Sequence, residues 1–218
     1  QKKIEYLLDN PLTLMMLVEL VMAGIWPQNK FDLYYETVRI LLTEKNEPHL
    51  DAKVSKFNFE QLLTQSGKLF AHLLIAGVQS ITSTYTTSSS YINKSDIGFD
   101  ITTVNTILST KVFSNVSSGV FSPKHRTIAE FLGALWLVQN LKERMTLGRL
   151  LQVIGYDGVP IPELRGLFAW IASSNFFASD LLGFDPMGTL LYGDVERLSD
   201  TNKVKLLGEI EKIAKADP

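Results

Sequence analysis

The side chains best suited to proton transfer or metal ligation are three histidines, at positions 49, 72 and 125. That scatter matches no zinc-type ligand spacing. Cysteine is absent, which removes a thiolate nucleophile, disulfides and any Cys-based metal site. His49 and His72 take no assigned role. His125 stands just before a strong helical run with Arg126 beside it, where a histidine taken alone reads as a surface cap. The 23 acidic residues are scattered over amphipathic segments and read as solvated faces. Glu130 reads as structural, paired with a cation on a neighbouring helix. A phosphate-cradling loop needs Gly, four residues, then Gly-Lys-Ser/Thr. The one Gly-Lys, Gly67-Lys68, is followed by Leu69 and has Leu62 where the first Gly belongs. There is no Gly-x-Gly pair, no Gly-x-Ser-x-Gly elbow and no His-Glu-x-x-His, so the chain alone is expected not to catalyse a reaction.

Local patterns supply the elements. Asn10-Pro11 is a helix start: Asn10 can cap free amides, and Pro11 fits the first helical position. The helix over about 11–23 is apolar nearly all round, which predicts burial on most sides. Gly24 and Pro27 end it. A second helix covers about 31–43, with Leu33, Tyr34, Val38, Leu41 and Leu42 on one face. Residues 44–56 are charged and carry Pro48, which reads as a linker. A long helix comes next, over about 58–76. Residues 79–90, Gln-Ser-Ile-Thr-Ser-Thr-Tyr-Thr-Thr-Ser-Ser-Ser, read as a flexible loop or exposed ribbon. A short helix is predicted at Ser95 or Asp96, and another near 102–109.

Two β-rich runs, 111–116 and 119–122, flank Ser117-Ser118 and predict a hairpin. Pro123 closes it, and a helix covers about 125–142. From Asn58 to Ser122 this is the element order of a winged helix. Short helices near 146–154, 162–173 and 175–182, then one opened by Asp185-Pro186, resemble stacked α-repeats. The last helix, 200–216, places Val204, Leu207, Ile210, Ile213 and Ala214 on one face. Trp26, Trp136 and Trp170 read as core residues. The fold class is mainly α: a helical bundle, a winged-helix domain with a small β-hairpin, and a repeat-like helical segment.

Composition bounds the partners. The formal charge is −2, from 21 basic and 23 acidic residues, and 45% of residues are hydrophobic. That balance argues against a polybasic nucleic-acid binder. No apolar run reaches the ~18 residues that span a bilayer, and no signal peptide is visible. A cytoplasmic protein is expected. The first residue is Gln rather than Met, which reads as a piece of something longer.

Two segments then take on meaning together. One is Asn-Pro-Leu-Thr-Leu-Met-Met-Leu at 10–17, followed by Phe-Asp-Leu-Tyr-Tyr-Glu at 31–36. The other is Val-Phe-Ser-Pro-Lys-His-Arg-Thr-Ile-Ala-Glu-Phe-Leu-Gly-Ala-Leu at 120–135. They resemble the half of NACHT-type STAND NTPases that lies after the ATPase domain. These are signalling switches that include bacterial defence proteins. In that family an Asn-Pro-Leu helix opens a lid, and a Phe-x-His-x-x-x-x-Glu-(Tyr/Phe)-Leu-Ala-Ala motif lies in the winged helix. Here three residues separate Phe121 from His125, and Gly133 replaces a common Ala. Residues 185–194 also resemble the segment after the winged helix in bacterial members.

The resemblance implies three regions: a helical lid over 1–48, a winged-helix-like domain over 49–143 and a repeat-like segment over 144–218. It implies that Pro11 packs on the adenine of bound ADP. His125 contacts the terminal phosphate, and Arg126 adds a donor. ADP or ATP would be bound by the intact protein, with none expected on this fragment. The partner would be an upstream nucleotide-binding domain of the same chain, with oligomers on activation. Two other readings stand beside this one: a DNA-binding winged-helix regulator and a helical interaction scaffold. The DNA reading needs a basic recognition segment. Residues 94–111 offer Lys94 and Lys111 against Asp96 and Asp100, and residues 112–122 have no basic residue.

Overall fold

The computed structural model describes residues 10–44, 57–84 and 88–216, with Lys142 described by its backbone alone. In chain order the elements are α1 (Pro11–Met22), α2 (Lys30–Thr43), α3 (Phe59–Ile75), β1 (Ser80–Thr82), β2 (Tyr91–Asn93), α4 (Ile101–Leu108), β3 (Phe113–Ser117) and β4 (Val120–Pro123). Then come α5 (Arg126–Glu143), α6 (Leu147–Ile154), β5 (Gly155–Tyr156), β6 (Val159–Pro160), α7 (Arg165–Ala172), α8 (Ala178–Leu181), α9 (Pro186–Tyr192) and α10 (Asp200–Ala216). The chain is mainly α with a small mixed sheet, as the patterning predicts. Most of the 44–56 linker lies outside the described residues. Contacts define two compact units: one from Tyr34 to Gly133, the other from the residues up to Leu33 with those from Ala134 onward.

In the Tyr34–Gly133 unit, α3 opens on a reciprocal cap. Asn58 accepts from the Gln61 amide at 2.9 Å, and the Gln61 side chain accepts from the Asn58 amide at 3.0 Å. The sheet runs β2-β1-β4-β3, with β1–β2 parallel and the other two pairs antiparallel. Helix α3, β1, α4 and the β3–β4 hairpin, with β4 between β1 and β3, keep part of the expected winged-helix order. Strand β2 is an addition to it. The predicted short helix at Ser95 or Asp96 is instead a turn, because Asn93 accepts from both the amide and the hydroxyl of Ser95.

Part of the segment at 79–90 also departs from expectation. Ser80, Ile81 and Thr82 form a wholly buried strand. Their hydroxyls are satisfied there: Ser80 bonds Ser122 at 2.6 Å, and Thr82 donates to the Thr84 carbonyl at 3.0 Å. Satisfied hydroxyls bury at little cost. Residues 85–87 lie outside the described residues.

In the other unit, α7 is buried along its whole length from Gly166 to Ala172. Helix α9 packs closely on α7. The contact requires Gly193, because a Cβ there would meet the Ser173 hydroxyl at 2.1 Å and the Thr189 carbonyl oxygen at 2.7 Å. Helix α10 packs on α8 and α9, through a cluster of Ala178, Leu182, Leu198 and Leu206. An unpredicted hairpin joins β5 to β6 by Asp157-Gly158, both at positive φ (49° and 82°).

Three burial expectations are corrected here. Helix α1 buries one face only, Thr13, Met16, Leu17 and Leu20, while Met15, Val18 and Met22 are exposed. Trp26 is not core but 54% exposed. Helix α10 turns Asn202 and Leu206 inward and packs Ile210 of the predicted stripe against the same cluster, but leaves Val204, Leu207 and Ile213 outside, so most of its apolar stripe is not its packed face.

The Tyr34–Gly133 core centres on Phe70 stacked against Phe113, ring centroids 4.9 Å apart and 10° from parallel. Both are 1% exposed. Phe70→Ala should cost about 3–5 kcal/mol in chemical denaturation. A loss under about 1 kcal/mol, the ordinary value for a point substitution, would contradict this assignment of the core.

Candidate functional site

The start of α5 is positioned by the hairpin before it. Strand β4 ends with Pro123 opposite Phe113. The Lys124 amide then donates to the Val112 carbonyl at 2.9 Å, which fixes where the chain leaves the sheet. His125, half-buried, comes next at the threshold of the helix, and its carbonyl accepts the first helical bond from Ala129 at 3.1 Å. Arg126 is the first residue of α5.

The charges there run against the helix dipole. The amino end of a helix carries partial positive charge and favours anions. Yet the first turn of α5 holds no acidic residue and begins with Arg126, beside His125. Arg126 is answered from one turn further on: its Nε donates to the Glu130 carboxylate at 2.9 Å. Its side chain remains 56% exposed, whereas that of Glu130 is 10% exposed. This cation lies on Glu130's own helix, which corrects the expected partner on a neighbouring one. Burial pushes the Glu130 carboxyl up, and the bond and charge of Arg126 oppose that rise. Tyr34 of α2 packs against Phe131 with centroids 5.5 Å apart. Its phenol is raised by burial and by the charge of Glu130, with the Thr127 hydroxyl opposing.

Pro11 lies in the other unit, exposed at the first position of α1. Asn10 caps that helix by accepting from the Leu12 amide at 2.9 Å. His125 and Arg126 are therefore brought together, and Pro11 is described apart from them. Among the described residues no group of three or more acidic or histidine side chains could hold a metal ion, and no helix is long and apolar enough to cross a membrane. The two lysines considered for DNA contact are engaged: Lys94 donates to Asn105 at 3.3 Å, and Lys111 pairs with Glu44 at 2.7 Å. Helix α4 itself has no basic residue.

A second polar centre has no signature in the local sequence. The Phe31 amide, in the first turn of α2, donates to Asp194 at 2.7 Å. The neighbouring Lys30 ammonium donates to the carbonyls of Tyr192 and Gly193 at 2.9 and 3.0 Å, closing the end of α9. The Asp194 amide bonds the Ser173 hydroxyl at 2.9 Å. Asp194 is 2% exposed, and its Oδ1 has no hydrogen-bond partner among the described residues. Burial pushes its carboxyl up against the Phe31 bond and the charges of Arg197 and Lys30. Burial likewise pulls Lys30 down, with Asp194 opposing. At the other end of α9, Arg165 grips Asp185 in a fork of 2.7 and 2.8 Å, and Asp185 caps the Gly188 amide at 2.9 Å. Burial alone would raise Asp185, but the Arg165 fork, the Gly188 bond and the Arg165 charge hold it below the ordinary carboxylate value. Asp185-Pro186 is a visible helix start in the sequence, but nothing local links Phe31 to Asp194, 163 residues away.

No protein-family model, curated protein or solved structure matches this chain.

Two outcomes are expected. Asp194→Ala removes the acceptor for Phe31 and the counter-charge of Lys30, and should cost about 2–4 kcal/mol. Asp194→Asn keeps an acceptor and should cost clearly less. Equal losses of thermal stability in the two variants would contradict the cap. For Asp185 the folded pKa lies below the unfolded one, near 3.9. Its contribution is therefore full above that value and lost as pH falls through the folded value. Asp185→Asn should be less stable than the parent at pH 7 and converge with it in acid, read as melting temperature against pH.

Proposed function

We propose that this chain is the regulatory portion of a nucleotide-dependent signalling switch of the NACHT-type STAND class, working in the cytoplasm. Its winged helix holds the ADP-bound state closed. Its partner is a nucleotide-binding domain lying upstream in the same chain. The observation that carries this reading is the pair His125 and Arg126 at the amino end of α5, with no acid in that helix's first turn. Two cationic or cationisable groups at a positive helix end repel one another and the dipole. A phosphate placed there relieves both, accepting from backbone amides and from the guanidinium. Pro11 is assigned to the adenine by resemblance. Exchange of ADP for ATP shifts the equilibrium toward an open, oligomerising state, because each ligand favours one of two conformations.

The uncharged α4 and the engaged Lys94 and Lys111 weigh against the DNA reading, since phosphate-contacting cations supply most non-specific affinity for DNA. The scaffold reading draws on the outward apolar residues of α10, Val204 and Leu207, which are 70% and 66% exposed.

The test uses the intact protein, its nucleotide-binding domain included. His125→Ala should reduce co-purifying ADP by on the order of tenfold, the equivalent of one charge-assisted contact of ~1.4 kcal/mol, and raise basal signalling output. Bound nucleotide is measured by denaturing extraction and anion-exchange chromatography. Unchanged ADP occupancy and output would overturn the reading, as would robust ATP hydrolysis by the 218-residue chain on its own.

A further inference from the structure

Glu130 and Arg126 are paired, and the two differ sharply in exposure. The Arg126 side chain is more than half exposed at 56%, while that of Glu130 is nearly withdrawn from water at 10%. A buried carboxylate tolerates its charge only while a cation answers it. Here that cation is Arg126, through a 2.9 Å contact from Nε. The same guanidinium is the group proposed to meet the phosphate.

We infer that Glu130 is a positioning residue for Arg126, and that binding of an anion at the start of α5 is coupled to uptake of one proton by Glu130. This rests on the proposed nucleotide contact at His125 and Arg126. The coupling arises from charge sharing. Whether Arg126 turns wholly to the phosphate or serves both partners, the anion takes part of the positive charge that Glu130 depends on. It also adds negative charge nearby. Both changes favour the neutral carboxyl. The proton comes from solvent and ends on a carboxyl oxygen of Glu130; Arg126 keeps its charge throughout. The groups acting on Glu130 are Arg126 on its own helix and the Tyr34 phenol on α2, with Thr127 beside that phenol. The phenol, raised by burial, stays neutral at ordinary pH and supplies no competing charge. Burial already raises the Glu130 carboxyl from its ordinary value against the opposition of Arg126, and the anion acts in the same direction as burial. Anion affinity at this site then weakens as pH rises.

Two measurements test this separately. The first uses the 218-residue chain without nucleotide and follows the Glu130 side-chain carboxyl by carbon NMR against pH. Arg126→Ala and Arg126→Gln should each raise the Glu130 midpoint by about one unit or more, with Arg126→Lys restoring part of the shift. An unmoved midpoint would overturn the inference. The second titrates ADP into the intact protein by calorimetry, in buffers of different ionisation enthalpy, and counts protons taken up. Glu130→Gln retains an acceptor for Arg126 but cannot take a proton. The phosphate of ADP is common to both proteins, and repeating the pair in a His125→Gln background removes the imidazole from the difference. The parent should take up more protons per ADP than Glu130→Gln. Equal counts with ADP still bound would overturn the inference and leave the nucleotide reading standing. Absence of ADP binding by the intact parent would overturn both.

Discussion

The exchange of caps between Lys30 and Asp194 closes two helix ends with one pair of residues. At the amino end of α2, Asp194 adds an acceptor for the Phe31 amide beside Asn29, which accepts from the Asp32 amide at 2.8 Å, and Lys30 supplies a donor to the carboxyl end of α9. Each helix terminus leaves about four backbone groups without an intrahelical partner. A seven-residue helix such as α9 is well below the length at which helix formation offsets its own nucleation. It persists because it packs on α7 and α10 and because both of its ends are closed by charge: the Asp185 cap, held by Arg165, at the start, and Lys30 at the finish. The cost appears at Asp194 Oδ1, buried and without a hydrogen-bond partner among the described residues.

The Tyr34–Gly133 unit uses the same device in a neutral form. The Lys111 amide donates to the carbonyls of Leu41 and Glu44 at 3.0 and 3.1 Å, closing the last turn of α2 from the loop that leads into β3. The same stretch continues through Val112, whose carbonyl takes the Lys124 amide. A short path of main-chain bonds therefore runs from the end of α2, through the base of the hairpin, to His125. The position of the candidate site depends on the Phe70–Phe113 stack beneath that hairpin as much as on the residues that give it chemistry.

Local features are the ones legible in the sequence. Asn10-Pro11, the helix start near Asn58, Asp185-Pro186 and the hairpin around 117–118 each carry their reason within a few residues, and each stands where the pattern puts it. Faces are harder. Helix α1 is apolar all round, so periodicity does not say that only Thr13, Met16, Leu17 and Leu20 are covered. In α10 the pattern favours the stripe through Val204 and Leu207, but the packed side is set by Leu182 and Leu198, which reach Leu206 instead. Strand β1 is obscured because Ser80 and Thr82 look like loop residues until Ser122 and Thr84 are seen to satisfy them. At the candidate site, His125 and Arg126 are legible as neighbours before a helix. The partner of Glu130 is not on another helix, and spacing already points to it: Arg126 lies four residues back, the separation at which helical side chains meet.

That four-residue pair also bears on which function the winged helix can serve. The favourable order for an ion pair on a helix puts the acid first and the base second, in line with the dipole. Arg126 and Glu130 have the reverse order, so each charge stands nearer the helix end that repels it than its swap would. The buried Glu130 offsets that arrangement by answering Arg126, and on the proposed reading an anion in front of Arg126 would turn the remaining charge at the helix start into a binding contact. Among the described residues the recognition helix offers no comparable feature: α4 presents Thr102, Asn105 and Ile101 rather than cations. The absence of cations on α4 therefore weighs against contact with a continuous polyanion along that helix.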